Sequence, residues 1–487
     1  MTGLRPLLGR ALKVLSEGDV ETIHSASMQI LEEVGTDFNN SDALQALSGG
    51  GCRIEGSNVR FPQKLVERAI ESVPSSIIFK ARDPAKGLQL GAGLVHIMSA
   101  FGASFVREPG TNVVRPARLK DLEEFTRVFD YLEGIDCCLK AVIPQDVPPN
   151  QADIYASYTL FSNTDKNIHI SQDCPTDIAF ITRKIIELGQ AAALGLDREG
   201  SPIFSLGCCP DTPLRYGDAA LIRMKIAVEA GIPFLIVSGA IAGVSTPATI
   251  AGLLATQHAE LLAGLTYAQL LRPGCEVAFG SFASSSDMKT GKMRLGSIEQ
   301  SLIGVATQQL CEHCGICYGY GTGALTDSEL LDIQAGYDKG ISLAFQMLGG
   351  VGMIHDVSGL LSSAMVMSLE DVIIDHEYAR MIARGMRGIE VSPETLALDL
   401  IRQRGPGASF LAEEHTLNHF QEEFFLSDIF VQKNPAAGAI DEAHGMRELA
   451  LKKALSILAS HRPSPLAPEA AKRMKAILDA LPAGGPK

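Results

Sequence analysis

From about Val95 onward the chain alternates two hydrophobic patterns. One consists of short runs of apolar and small residues: "HIMSAFGASFV", "IDCCLKAVI", "NIHIS", "IFSLGCC", "FLIVSGAIA", "EVAFGSFA", "ICYGYGTGA" and "GGVGMIHDV". The other carries apolar residues at helical spacing with polar residues between, as in "LKDLEEFTRVFDYL", "DIAFITRKIIELGQAAAL", "AALIRMKIAVEAG", "TIAGLLATQHAELLAGLTYAQLL", "SIEQSLIGVATQQLCEHCG", "LLDIQAGYDKGISLAFQML" and "LEDVIIDHEYARMIARGM". Strand runs that alternate with amphipathic helices predict right-handed βαβ units and a parallel sheet. About eight such strands is the number that closes a (β/α)8 TIM barrel of the α/β class. The alternative is an open doubly wound sheet. Against it, no strand is followed by a dinucleotide fingerprint or a Walker loop.

The flanks read differently. Residues 1–90 are predicted to be helical with a short hairpin. "SEGDVETIHSASMQILEEVG" opens on a capping Ser16 and stops at Gly35, "PQKLVERAIESVP" repeats the helical pattern, and "GGGCRIEGSNVRFP" between them reads as the hairpin. Residues 91–390 hold the barrel. Residues 391–487 form a helical extension packed on it, with "RPSPLAPEA" as a surface connector.

A chain of 487 residues with 46% hydrophobic content can bury a large core. The net charge of -14 and the lack of any long Lys/Arg cluster argue against a nucleic-acid partner. No apolar run is long enough for a bilayer, and the N-terminus lacks the apolar core of a signal peptide, so a cytoplasmic protein is expected. Ten scattered cysteines fit a reducing compartment better than a disulfide framework. In "CEHCGIC", Cys311, Cys314 and Cys317 have spacing that superficially suits a metal. They straddle a helix-to-strand passage, and no second ligand pair completes a site elsewhere in the sequence. They are read as buried small hydrophobes, and no metal is expected. Hydrolase signatures are missing.

Chemistry in a barrel sits at the C-terminal strand ends. That rule puts Phe101, Ser104, Gln145, His169, Ser171, Gln172, Cys208, Cys209, Asp211, Ser238, Phe279, Phe282, Asp287, Tyr320, Thr322, Thr326, Asp327 and Ser328 at the mouth. His355 caps the last strand, with Asp356 or loop backbone fixing its tautomer. Glycines keep such a mouth open, and aromatic faces suit an apolar or cationic ligand head.

Long blocks carry a resemblance. "LSEGDVETIHSASMQILEEVG", "RPARLKDLEEFTRVFDYLEGID", "SGAIAGVSTPATIAGLLATQHAELLAGL", "FGSFASSSDMKTG", "LTDSELLDIQAGYDKG" and "RGIEVSPETLALDLIRQRGPGASFLAEEHTLNHFQEEFF" resemble the trimethylamine methyltransferase family, in that family's order, from about residue 15 to about 430. The resemblance implies a TIM barrel enzyme that moves a methyl group from a methylated amine to the cobalt of a separate corrinoid (cobalamin) protein, with no tightly bound cofactor of its own. A homo-oligomer is compatible with it. The archetypal trimethylamine enzymes carry pyrrolysine in the mouth, and this sequence has none. The loop Gly323 to Asp332 is the expected place of that residue. Family members without pyrrolysine include enzymes for glycine betaine and related quaternary amines, so a quaternary substrate is favoured. Chemistry agrees: a quaternary nitrogen leaves as a neutral tertiary amine, so no general acid is needed and the protein's task is positioning and desolvation. The expected ammonium cage is Phe101, Phe282 and Tyr320, with His355 and Gln172 anchoring a carboxylate and His355 and Tyr320 positioning the substrate. Asp287 and Asp327 are expected to order loops. Two other readings stay open: a non-catalytic quaternary-amine binder, and a lyase or aldolase working through Lys140 or Cys208.

Overall fold

The computed structural model describes residues 12–91, 93–171, 176–196, 202–430 and 445–482. Each apolar run of the barrel region contains a strand: β1 (His96–Ile97), β2 (Cys137–Cys138), β3 (Asn167–Ile170), β4 (Phe204–Cys208), β5 (Phe234–Ser238), β6 (Val277–Ser281), β7 (Cys317–Thr322) and β8 (Met353–His355). All pair in parallel, in the order β1-β8-β7-β6-β5-β4-β3-β2. The two ends of that order also meet. Met98 bridges Cys137, and the Ser99 N–H donates to the Cys137 carbonyl at 2.9 Å. The sheet is therefore a closed (β/α)8 barrel and not an open doubly wound sheet.

Eight helices follow the strands: α1 (Leu119–Tyr131), α2 (Ala152–Asn163), α3 (Ile178–Ala192), α4 (Asp218–Glu229), α5 (Ile250–Leu271), α6 (Ile298–Cys314), α7 (Ile333–Leu348) and α8 (Leu369–Met386). Local chemistry sets several boundaries. Ser297, Asp332 and Ser368 cap α6, α7 and α8 by accepting from the backbone of Gln300, Ala335 and Asp371. Gly315, at φ +67°, ends α6. Helix α2 is absent from the periodic stretches because its buried set mixes Asp153, Ser157 and Thr159 with Ile154, Leu160 and Phe161, leaving no clean apolar stripe.

The lumen is filled by Met98, Leu139, Leu235, Val237, Ala278, Cys317, Tyr320 and Met353. A hairpin of Ile77–Phe79 and Leu88–Leu90 adds Ile77, Phe79, Leu88 and Leu90 to the same cluster. The N-terminal hairpin pairs Arg53–Glu55 with Asn58–Arg60. It belongs to a larger sheet in which Thr36–Phe38 also pairs with Arg215–Tyr216 from the loop after β4. In the C-terminal region, helix Met446–Ser460 packs on α8 and α1, and Pro468–Asp479 packs on α3 and α2. Arg127 ties in the C-terminal region by donating to the Leu458 and His461 carbonyls at 2.5 and 2.9 Å. Among the described residues, no helix is long and apolar enough to cross a membrane.

Candidate active site

His355 is the last residue of β8. With Met353 it belongs to the lumen side, while Ile354 packs in the core outside the barrel. Its ring lies under Tyr320, with centroids 3.5 Å apart and planes 28° apart, and Phe282 stands 5.8 Å away on a similar tilt. Nε2 is 3.3 Å from the Thr322 hydroxyl, which donates to the Ser281 carbonyl at 2.8 Å. Nδ1 lies 2.8 Å from an Asp356 oxygen, although the alignment falls short of a hydrogen bond. Asp356 takes a left-handed backbone, φ +61°, and accepts from the Phe101 N–H at 3.1 Å. That conformation is one Asp tolerates better than most residues. One side chain thus ties the end of β8 to the Phe101 loop.

Tyr320 reaches the lumen through an irregularity in β7. Phe279 pairs with Tyr318 but Gly280 pairs with Tyr320, so β7 carries one extra residue. A bulge re-aims side chains. Here Tyr318 packs outward with the core while Tyr320 joins the lumen cluster. Gly280 makes room: a Cβ there would lie 2.6 Å from the Cβ of Tyr320.

Beside this stack, His169 lies 5.8 Å from Tyr320, between the hydroxyls of Ser205 (2.9 Å from Nδ1) and Ser171 (3.2 Å from Nε2). Burial, with His355 nearby, lowers His169 to about 3, so the ring is neutral. A cavity of about 470 Å³ opens here. Phe101, Tyr320, Val237 and Ser171 line it together with Gly207, Cys208, Asp211, Asp218 and Arg223. Arg223, from α4, is the cationic side chain among the lining residues that the sequence reading missed. It sits on a helix where arginine reads as an ordinary surface position, yet it is buried and donates to the Gly207 carbonyl at 3.3 Å.

A family model described as trimethylamine methyltransferase (MTTB) matches residues 7–481. The chain belongs to that family. Among its relatives, trimethylamine methyltransferase MttB of Desulfitobacterium hafniense (strain DSM 10664 / DCB-2) is 29% identical over 483 residues, covering 98% of this chain and 95% of that one. Glycine betaine methyltransferase of Desulfitobacterium hafniense (strain Y51) is 31% identical over 472 residues, covering 96% of each. The solved monomethylamine methyltransferase (MtmB) of Methanosarcina barkeri aligns over 95% of this chain and 93% of its own, at 11% identity and a TM-score of 0.46.

For this methyltransferase family member, several expected positions need correction. His355 is fully buried, does not line the cavity and is covered by Tyr320, because the shifted register of β7 lays that ring across it. Phe279 faces away from the mouth, with its ring edge-on to His258 of α5 at 6.3 Å. Gln172 lies outside the described residues. Phe101 lines the cavity and also meets the Lys140 ammonium 5.7 Å from its centroid. Lys140 is itself ion-paired with buried Asp153, and burial pushes the Cys208 thiol well up, so neither is poised as a nucleophile. Asp287 accepts from the Lys289 N–H at 2.8 Å and from Thr290 at 3.1 Å. Asp327 accepts from Ser363 at 2.7 Å and from the Leu295 N–H at 3.3 Å.

Glu260, in α5, braces the wall of the mouth. It accepts from Ser238 at 2.8 Å, Thr212 at 3.0 Å and the Leu214 N–H at 2.6 Å. Burial raises this carboxyl from 4.5 to about 7, against the lowering effect of those donors. The folded state therefore holds the proton more tightly than the unfolded chain. That contribution is complete below 4.5 and is lost as pH rises through about 7. Glu260→Gln cannot titrate. The melting-temperature difference, wild type minus variant, should therefore fall as pH rises across that window in a calorimetric series. A flat or rising difference contradicts the assignment.

Two residues far from Cys314 in the chain, His24 and His258, lie against it, a proximity that spacing in the sequence could not show.

Proposed function

We propose that this chain transfers a methyl group from a quaternary ammonium compound of the glycine betaine kind to the Co(I) of a separate corrinoid protein. The observation that carries this reading is the Tyr320 ring, backed by His355 and presented with Phe101 to a cavity beside the neutral His169. Ring faces attract a quaternary cation, and a neutral imidazole adds no opposing charge. The relative named for glycine betaine and the lack of pyrrolysine in this sequence support the same substrate class.

The corrinoid supplies a nucleophilic cobalt that accepts the methyl group. The chain's own residues do the rest by binding and orientation. Tyr320 and Phe101 hold the cationic head and exclude water, while Phe282 packs behind them against the lumen cluster and His355 without lining the cavity. Because the amine leaves neutral, no side chain has to deliver a proton. Arg223, at another part of the cavity wall, provides positive charge for a carboxylate. His355 then acts through Tyr320 as a positioning residue and not as the carboxylate anchor.

A panel of quaternary amines, assayed by Co(I) methylation with a corrinoid protein, tests the substrate class. Arg223→Met should raise the substrate constant of a carboxylated amine by about 10- to 100-fold, the worth of a charge-assisted hydrogen bond. It should change a choline-like substrate much less. His355→Ala should weaken both substrates alike. If His355→Ala affects only the carboxylated substrate and Arg223→Met affects neither, the anchoring roles are reversed.

A further inference from the structure

His24 lies on the helix Glu17–Gln29, His258 in the middle of α5, and Cys314 at the last turn of α6. His24 Nδ1 is 3.1 Å from His258 Nε2, and Cys314 Sγ is 3.6 Å from the former and 3.8 Å from the latter. Zn–N bonds near 2.05 Å and a Zn–S bond near 2.3 Å at tetrahedral angles place ligand atoms about 3.3 Å (N to N) and about 3.6 Å (N to S) apart. The three observed separations therefore match one face of a zinc tetrahedron. A plain hydrogen bond between two imidazoles would account for the first distance, but it gives no reason for a thiol nearly equidistant from both nitrogens.

We propose that His24, His258 and Cys314 form a zinc site that staples the N-terminal helix to the outside of the barrel. Two imidazoles and a thiolate are a donor set that suits zinc and not magnesium or calcium. Binding releases the Cys314 thiol proton to solvent as the Zn–S bond forms. Phe279 packs edge-on against His258 and holds that ring in place. The fourth position falls to water or to exposed His313, whose ring is centred 5.3 Å from that of His24. Cys314 lies where α6 passes into the start of β7, at the end of the barrel away from the mouth, so the ion is structural and takes no part in methyl transfer. Val20 and Ile23 of the same helix already pack against Leu253, Leu254, Ile303 and Leu310. The ion adds a fixed point at the polar end of that contact.

The test uses the full-length chain, stripped with a chelator and titrated with Co2+. The expected result is a thiolate-to-cobalt charge-transfer band with tetrahedral d–d bands, saturating at about one equivalent and displaced by Zn2+. Cys314→Ser should abolish the charge-transfer band. His24→Ala, on a partly exposed helix face, should weaken Co2+ binding by about 100-fold, the upper end of what even outer-shell losses cost. Cys311→Ser, a buried neighbour on α6, should leave the titration unchanged. Adding Zn2+ to the stripped chain should raise the unfolding midpoint of the wild type but not of Cys314→Ser or His24→Ala. A wild-type chain with no charge-transfer band at saturating Co2+ is a bare hydrogen-bonded cluster, and that result overturns the proposal. So does a band that persists in Cys314→Ser.

Discussion

Tyr320→Ala is expected to raise the substrate constant for a quaternary amine by about 30-fold. That corresponds to the roughly 2 kcal/mol of a desolvated cation–π contact. The ring stacks on His355 at 3.5 Å and faces the cavity, so its loss removes the aromatic face and uncovers the imidazole behind it. Alanine also leaves a void in the lumen cluster, and Phe→Ala-type changes cost about 3–5 kcal/mol of stability. Two companion variants separate packing from recognition. Tyr320→Phe keeps the ring face and should stay within about fivefold of wild type, the loss attached to one hydroxyl hydrogen bond. Tyr320→Leu fills much of the volume without a ring, so it should keep most of the stability and still lose affinity. Steady-state constants and a melting curve for each variant provide the check. If Leu binds as well as Phe, the ring face is not what holds the cation.

Lys339→Met should be the most destabilising single substitution away from the mouth. The Lys339 ammonium donates to Asp375 at 2.8 Å and to Asp371, and all three side chains are buried. Asp375 also accepts from the Gly359 N–H at 2.7 Å, so the cluster links α7 and α8 to the loop that follows β8. Removing one partner of a buried ion cluster leaves uncompensated charge and costs about 3–5 kcal/mol. Burial and the neighbouring Asp371 already raise Asp375 from 3.8 to about 7. Losing the ammonium raises both carboxyls further. A raised folded pKa favours the native state at low pH, and that benefit is lost as pH rises through it. The deficit of Lys339→Met should therefore grow with pH above 3.8, read as the midpoint of thermal inactivation. An apolar replacement of all three residues should recover much of the loss, as expected when cost comes from unpaired charge. A small, pH-independent deficit contradicts this account.

The eight strands were legible because most lie in short runs of apolar and small residues between turn residues, and the helices because most carry a stripe. Buried α2 carries none, so its position came only from the structure. The position of His355 at a strand end was also legible, but its covering ring was not. Strict alternation puts Tyr318 and Tyr320 on the same face, and only the extra residue in β7 sends them to opposite sides. Arg223 was missed because its burial depends on α4 packing against β4, where the Gly207 carbonyl accepts from it. His24 and His258 are 234 residues apart, and Cys314 is a further 56 beyond, so spacing could not join them. Alternation and run length are local signals, whereas register shifts and contacts between helices distant in sequence are not.

The central claim is methyl transfer from an already cationic nitrogen. Its most direct test is the absorbance change of a reduced corrinoid protein mixed with this chain and glycine betaine. The expected result is loss of the Co(I) band with growth of methylcobalamin, at a rate that Tyr320→Ala sharply lowers, and no such change with trimethylamine. Methylation by trimethylamine while every quaternary amine stays inert would contradict it.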